Sequence, residues 1–370
     1  MPGFKIISKC QNTKARAGEI LTPHGKIKTP CFMPVATYAT VKTLSSEDIK
    51  EMGYQMLIAN AYHLYLKPGT ETIKKTGSLH RFMNWNGAIV TDSGGFQIFS
   101  LEGVKIQENG VIFKSMVDGS QHFFSPESSM EIQEKIGADI IMAFDYCPKN
   151  WNDYEEVQES VHKTTQWAKK CKDFHKQPEQ VLWGIIQGGS YPELRKKSLE
   201  ELESIGFAGY GIGGLSIGEP WEETVKTVDF LSSVIPGSKT KYFMGLGMPE
   251  QIIEMVNRGI DVFDCGMPTR IARTGTTLSW KGKFNVKNAL YKNDFSPLDE
   301  DCSCFVCRNY SKAYLRHLFN AREFLGMRLN SYHNLYFLCR FMEKIQKNIE
   351  DGTFVEFKNT FLENYKKFSI

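Results

Sequence analysis

Short apolar runs recur along the chain at intervals filled by amphipathic segments. The runs are Cys31–Thr37, Met56–Asn60, Ala88–Asp92, Ile140–Asp145, Val181–Gln187, Gly209–Leu215, Tyr242–Gly245 and Val262–Asp264. They are too short for helices and read as buried strands. Between them, Tyr154–His175, Glu193–Ile205, Glu222–Val234 and Glu250–Arg258 repeat apolar residues at helical spacing. This alternation predicts an α/β fold built from βα units on a parallel sheet. Eight strands predict a closed (β/α)8 TIM barrel, with an open doubly wound sheet as the competing arrangement.

The pattern breaks twice. Leu101 to Phe124 carries Glu108-Asn109-Gly110 and Asp118-Gly119 between alternating runs, which predicts a β-hairpin inserted after the third strand. Gly266 to Arg308 follows the eighth strand without barrel patterning, and Ala313 to Phe368 returns to helical spacing. The chain therefore divides into residues 1–265, a barrel carrying the functional groups, and residues 266–370, a subdomain packed on it. No repeat, low-complexity tract or flexible linker separates the two.

Composition narrows the class. At 370 residues, 41% hydrophobic and 24% charged, the chain can bury a large core. Met1 to Cys31 has no continuous apolar stretch of the signal-peptide kind, and no run approaches the roughly 18 apolar residues of a membrane helix. Cys10, Cys31, Cys147, Cys171, Cys265 and Cys339 are scattered without framework spacing, so a reducing, cytoplasmic setting is expected. A net charge of +3 does not point to a polyanion by itself. Clustering does more: between Cys265 and Asn293 there is no acidic residue, while Arg270, Arg273, Lys281, Lys283, Lys287 and Lys292 fall inside. That stretch is either a solvated face or a nucleic-acid surface.

In a parallel barrel the loops at the C-terminal strand ends converge on one mouth. The strand ends here read Asn60, Asp92, Asp145, Gln187, Gly213-Gly214, Gly245 and Asp264. Each aspartate alone could cap the next helix, but three at one rim point to carboxylate chemistry. Two carboxylates flanking a glycosidic bond supply a nucleophile and a general acid/base. Cys147 and Cys265 lack an evident His partner for thiol catalysis. No phosphate-cradling loop is present, and Gly211-Ile212-Gly213-Gly214 lacks the full dinucleotide fingerprint.

Cys302-Ser303-Cys304-Phe305-Val306-Cys307, followed by His333 after 25 residues, has the donors of a closed tetrahedral zinc site with no position left for a catalytic water. His317 is the alternative fourth ligand. Coming after the eighth strand, this subdomain is expected to fold the segment following Asp264 back on the barrel.

Four ordered motifs then carry a resemblance. They are Asp92-Ser93-Gly94-Gly95-Phe96-Gln97, Gly184-Ile185-Ile186-Gln187-Gly188-Gly189, Gly213-Gly214-Leu215-Ser216-Ile217-Gly218-Glu219 and Phe263-Asp264-Cys265-Gly266-Met267-Pro268-Thr269-Arg270. With Asn60-Ala61-Tyr62-His63-Leu64 and Met244-Gly245-Leu246-Gly247, the chain resembles the bacterial-type tRNA-guanine transglycosylases, or queuine tRNA-ribosyltransferases, over nearly its whole length. The resemblance implies an irregular (β/α)8 barrel with a C-terminal zinc subdomain holding one structural Zn2+ through Cys302, Cys304, Cys307 and His333. It implies a homodimer that exchanges the wobble guanine of GUN-anticodon tRNAs for a 7-deazaguanine in queuosine biosynthesis. Asp264 would be the nucleophile and Asp92 the general acid/base. Asp145, Gln187 and the backbone of Gly214 and Leu215 would read the base edge, Phe96 and Met244 would sandwich its faces, and Arg270 and Arg273 would face the tRNA.

Departures bear on the incoming base. Tyr146 stands where the family commonly has an acidic residue, Ala61 where Thr is usual and Thr274 where Asn is usual. Cys147 and the branched Ile217 resemble the bacterial pattern, which narrows the pocket and favours preQ1, the 7-aminomethyl base. The alternatives are a queuine-inserting enzyme and a noncatalytic tRNA-binding subunit. The latter should lack one of the two carboxylates, and both are present. An archaeal-type relative would carry a further C-terminal RNA-binding domain, and a glycoside hydrolase would need neither the basic stretch nor the metal cluster.

Overall fold

A computed structural model describes residues 3–367, so Phe368, in the expected helical tail, lies outside the described residues. All eight expected strands form, and they close a ring. The hydrogen-bonded segments follow the order Cys31–Met33, Val262–Asp264, Thr240–Phe243, Gly209–Ile212, Val181–Ile186, Ile140–Met142, Ala88–Thr91, Met56–Ala59 and Val35–Ala36, and every pair is parallel. The first and last segments are halves of one strand interrupted at Pro34, which has no N–H for a ladder. Each half pairs with a different neighbour, and the ring closes through the break.

Both faces of the barrel strands are buried, which is why their sequences are uniformly apolar rather than alternating. Met56, Ile58, Met142, Trp183, Ile185 and Tyr242 fill the interior. Leu57, Ile141, Leu182 and Ile186 point the other way, into the helical layer. Helices Tyr154–Phe174, Pro192–Ile205, Trp221–Val234 and Pro249–Asn257 form where helical spacing predicted them, with starts shifted by at most one residue.

Two features differ from expectation. An antiparallel sheet of Phe4–Lys9, Arg16–Thr22 and Gly25–Thr29 precedes the barrel. Its Ile20 and Ile27 join the interior cluster and plug the barrel floor, while Arg16 makes a 2.7 Å buried ion pair with Asp261. The inserted segment is a three-stranded meander of Lys105–Gln107, Gly110–Lys114 and Gln121–Phe124, one strand more than a hairpin. Each of the two turn signals closes its own pair of strands.

The C-terminal region packs through helix Phe324–Glu350. Asn330 and Asn334, one turn apart on one face, donate to the carbonyls of Ala272 (3.0 Å), Pro268 (3.1 Å) and Thr276 (3.1 Å each). Asn334 also accepts from the Leu278 amide at 2.9 Å. The chain after Asp264 is thereby laid back on the barrel. Among the described residues no helix is long and apolar enough to cross a membrane.

Arg195 is fully buried on helix Pro192–Ile205, and among the described residues no carboxylate lies within ion-pair distance of it. Its guanidinium donates to the carbonyls of Ile186, Gly189 and Gly213, each at 2.8 Å, and to Gly214 at 3.5 Å. One rigid fork thus ties together the loops after two successive strands, a job a lysine's single ammonium cannot do. Arg195→Met should leave these carbonyls without donors and lower stability by roughly 3 kcal/mol in urea unfolding.

Candidate active site

The mouth of the barrel gathers the side chains expected from the strand ends. Asp92 follows strand Ala88–Thr91 and Asp264 ends strand Val262–Asp264. Asp145 and Gln187 follow strands Ile140–Met142 and Val181–Ile186. Each environment is different, and the differences set their chemistry.

Asp92 accepts from Asn60 Nδ2 at 2.6 Å and from the Ala61 amide at 2.8 Å. Asn60 is itself fixed, because its Oδ1 caps helix Ala61–Leu66 by accepting from the His63 amide at 3.0 Å. Burial pushes the Asp92 carboxyl up to about 7, and the negative charges of Asp264 and Asp145 add to the rise against the pull of the Ala61 N–H. A carboxyl in that range can both hold and release a proton near neutrality.

Asp264 is held by one oxygen. Its Oδ1 accepts from the Tyr242 hydroxyl at 2.6 Å and from the Gly245 amide at 2.9 Å. Among the described residues no donor reaches Oδ2, so it is the free end of an oriented carboxylate. Burial raises the Asp264 pKa, and the two donors oppose that rise. Tyr242 escaped the sequence reading. It lies two residues before Met244 on one strand face, so period-two alternation was the signal available for it.

Asp145 is buried, accepting from the Ser93 hydroxyl at 2.7 Å through Oδ1 and from Gln187 Nε2 at 2.8 Å through Oδ2. Gln187 Oε1 is buried with no partner among the described residues, an acceptor of the kind a ligand N–H would satisfy. Burial raises the Asp145 pKa against the donors Ser93 and Gln187. The backbone crowds this corner: a Cβ on Gly214, which has φ +63°, would lie 2.5 Å from Gln187 Oε1. Leu215 is buried beside it.

Phe96 is 55% exposed on the short helix Gly95–Phe99, an apolar ring held into solvent at the rim. Met244 is half-buried and packs against the barrel interior. Tyr146 turns into the core, its ring centroid 4.7 Å from that of Phe99, and its amide donates to Thr164 at 3.0 Å. Ile217 sits on a loop whose Ser216 and Ile217 amides donate to Glu219 at 2.5 and 3.0 Å. Cys147 and Cys265 are thiols: burial pushes them up to about 12 and about 11.

Arg270 and Arg273 lie on helix Met267–Arg273, directly after Asp264. Arg270 is exposed, and Arg273 has one buried guanidinium nitrogen without a partner among the described residues. Beyond them, Cys302, Cys304, Cys307 and His333 converge. Their sulfurs lie 3.8, 3.5 and 3.3 Å from His333 Nδ1. A tetrahedral zinc with ordinary bond lengths has S···N edges of about 3.5 Å. His333 Nε2 donates to the Leu278 carbonyl at 2.7 Å, which leaves Nδ1 for an ion. The four groups fit a metal, and the exposed His317 does not belong to the cluster.

Comparison with known proteins agrees with this geometry. A family model described as queuine tRNA-ribosyltransferase matches residues 10–367. The chain is 51% identical over 363 residues to the queuine tRNA-ribosyltransferase of Halothermothrix orenii, covering 98% of this chain and 97% of that one. It is 52% identical over 364 residues to that of Caldanaerobacter subterraneus subsp. tengcongensis, with 98% and 97% covered. For the Bacillus licheniformis protein of the same name the identity is 50% over 364 residues, with 98% and 96% covered. Carboxylates gathered at a barrel mouth, a Cys3His cluster fit for a metal after the eighth strand and identity of this extent along the whole chain place the protein in the queuine tRNA-ribosyltransferase family, the tRNA-guanine transglycosylases.

Proposed function

We propose that the chain exchanges the wobble guanine of GUN-anticodon tRNAs for preQ1, through a covalent link between Asp264 and the ribose. The observation that carries this reading is the division between the two mouth carboxylates. Asp264 is clamped at Oδ1 and free at Oδ2, whereas Asp92 is held near neutrality. Asp264 Oδ2 attacks the anomeric carbon as the bond to guanine breaks, and Asp92 gives its proton to the departing base. The incoming base then loses a proton to Asp92 and displaces Asp264, so two inversions give net retention. One N-glycosidic bond is exchanged for a similar one, and no redox or energy carrier is needed.

The base would reach this corner only out of the anticodon stack. Asp145 and Gln187 would read its edge with the backbone of Gly214 and Leu215, and Gln187 Oε1 is the acceptor awaiting a donor. Phe96 and Met244 would cover its faces. Arg270 and Arg273 would meet the RNA backbone beside Asp264. The metal is zinc in this reading; a closed Cys3His shell supplies stability and no open coordination position. A cytoplasmic homodimer completes the proposal, in line with the resemblance. For preQ1 over queuine the support is Ile217, whose loop is braced by the Glu219 carboxylate, which accepts from the Ser216 and Ile217 amides and from the Thr224 hydroxyl at 2.6 Å. A branched side chain on a braced wall narrows the room beyond the 7-substituent.

Incubation with tRNA and a 7-deazaguanine should give a denaturant-resistant protein–RNA adduct that Asp264→Asn abolishes; an adduct surviving that change refutes the nucleophile assignment. Because base departure needs protonated Asp92, adduct formation should slow about tenfold for each pH unit above about 7. Asp92→Asn should slow both half-reactions with tRNA affinity nearly unchanged. In competition for guanine exchange, preQ1 should be used better than queuine, and the reverse order rejects the narrow-pocket reading.

A further inference from the structure

The four groups of the cysteine cluster are not equally sheltered. Cys304 and His333 are buried, whereas Cys302 and Cys307 are partly exposed. Cys304 also caps helix Phe305–Asn309, its sulfur accepting from the Cys307 amide at 3.3 Å. Among the described residues no backbone amide donates to the sulfur of Cys302 or of Cys307. An N–H donor draws charge from a thiolate and makes it a poorer nucleophile, so Cys304 is the protected sulfur and the other two are not.

A cavity of about 370 Å³ opens beside the cluster and reaches Cys302, with Trp280, Tyr336, Arg340 and Lys344 among its walls. Arg340 and Lys347, also in these walls, are paired with Glu343 at 2.8 Å and Asp351 at 2.7 Å. Lys344 lies 4.1 Å over the Trp280 ring, and among the described residues no carboxylate is within ion-pair distance of it. A partly exposed sulfur beside a cation is the setting of a reactive cysteine. Its ionisation also separates it from other thiols of the chain. Metal-bound cysteines are thiolates, while burial pushes Cys147 up to about 12 and Cys265 up to about 11, so both stay protonated near neutrality.

We propose that Cys302 is an oxidation site, and that a Cys302–Cys307 disulfide formed by peroxide releases the metal and loosens the clamp beside the barrel mouth. The Cys302 sulfur attacks one oxygen of hydrogen peroxide, the O–O bond breaks, and the hydroxide that leaves takes a proton from solvent. Cys302 is then a sulfenic acid, oxidised by two electrons. The Cys307 thiolate attacks that sulfur, the S–S bond forms, and a second hydroxide leaves as water after protonation. Two thiolates, one peroxide and two protons thus give one disulfide and two waters. The two sulfurs start within 4.8 Å of each other, so an approach of less than about 3 Å joins them. Cys304 and His333 remain, too few ligands for a closed tetrahedral shell. The cysteine loop is then no longer tied through the ion to helix Phe324–Glu350, whose Asn330 and Asn334 hold the Ala272 and Pro268 carbonyls on either side of Arg270. The consequence for RNA rests on the tRNA reading given above; the chemistry at sulfur does not.

The test treats the zinc-loaded full chain with hydrogen peroxide and follows zinc release with a chromogenic chelator. Dimedone traps sulfenic acid early in the reaction, and peptide mass mapping locates the oxidised sulfurs. One zinc should leave for each Cys302–Cys307 disulfide formed, with dimedone on Cys302, and a thiol reductant with added zinc should restore the starting protein. Lys344→Glu should keep one zinc before treatment and slow Cys302 oxidation about threefold, by reversing the charge in the cavity wall. Oxidised protein should bind tRNA about tenfold more weakly, with affinity for the free base unchanged. First oxidation at another cysteine with zinc retained, or zinc release without this disulfide, overturns the proposal. Equal tRNA binding before and after oxidation overturns the link to the clamp, whereas untreated protein that fails to bind tRNA counts against the tRNA reading instead.

Discussion

Three carboxylates share one barrel mouth, and the cost of keeping like charges together away from bulk water governs the arrangement around them. Each is compensated by different means. Asp145 is enclosed and answered by a hydroxyl and a carboxamide. Asp264 has a phenol and an amide on one oxygen only. For Asp92 the Asn60 carboxamide and the Ala61 and Gly94 amides do not offset its burial and its acidic neighbours, so it keeps a proton to a higher pH than the usual carboxylate.

Such unequal treatment needs a frame that does not yield. The barrel supplies it by closing through a strand split at Pro34, with an N-terminal sheet plugging the floor. Arg195 binds the loops that carry Gln187 and Gly214 into one unit. On the other side, Asn330, His333 and Asn334 of one helix hold the chain that leaves Asp264, by hydrogen bonds and through the cysteine cluster. The metal-ligating group and the basic helix are thus parts of one clamp beside the mouth.

Much of this was legible in the sequence, for physical reasons that also explain what was not. The barrel strands are buried on both faces, so they stand out as apolar runs, and a polar residue closing such a run stands out further. That is why Asp92, Asp145, Gln187 and Asp264 could be read directly. Cys302, Cys304 and Cys307 are close in sequence, and metal spacing is a strong pattern. By contrast, Phe4–Lys9 and Gly25–Thr29 alternate with lysines and bury one face only, which leaves no run to see. Tyr242 reads as one more apolar strand residue until its hydroxyl is found on Asp264. Arg195 resembles any surface arginine of an amphipathic helix, because its partners are backbone carbonyls that leave no trace in composition.

The central claim is that environment alone divides acid from nucleophile at the mouth. Carbon-13 NMR titration of the side-chain carboxyls in the free protein, with Asp92→Asn to assign the signal, tests it directly. The account predicts that the Asp92 carboxyl titrates near pH 7 and that its signal is missing from the variant. An Asp92 signal titrating near pH 4, the ordinary aspartate value, would contradict it.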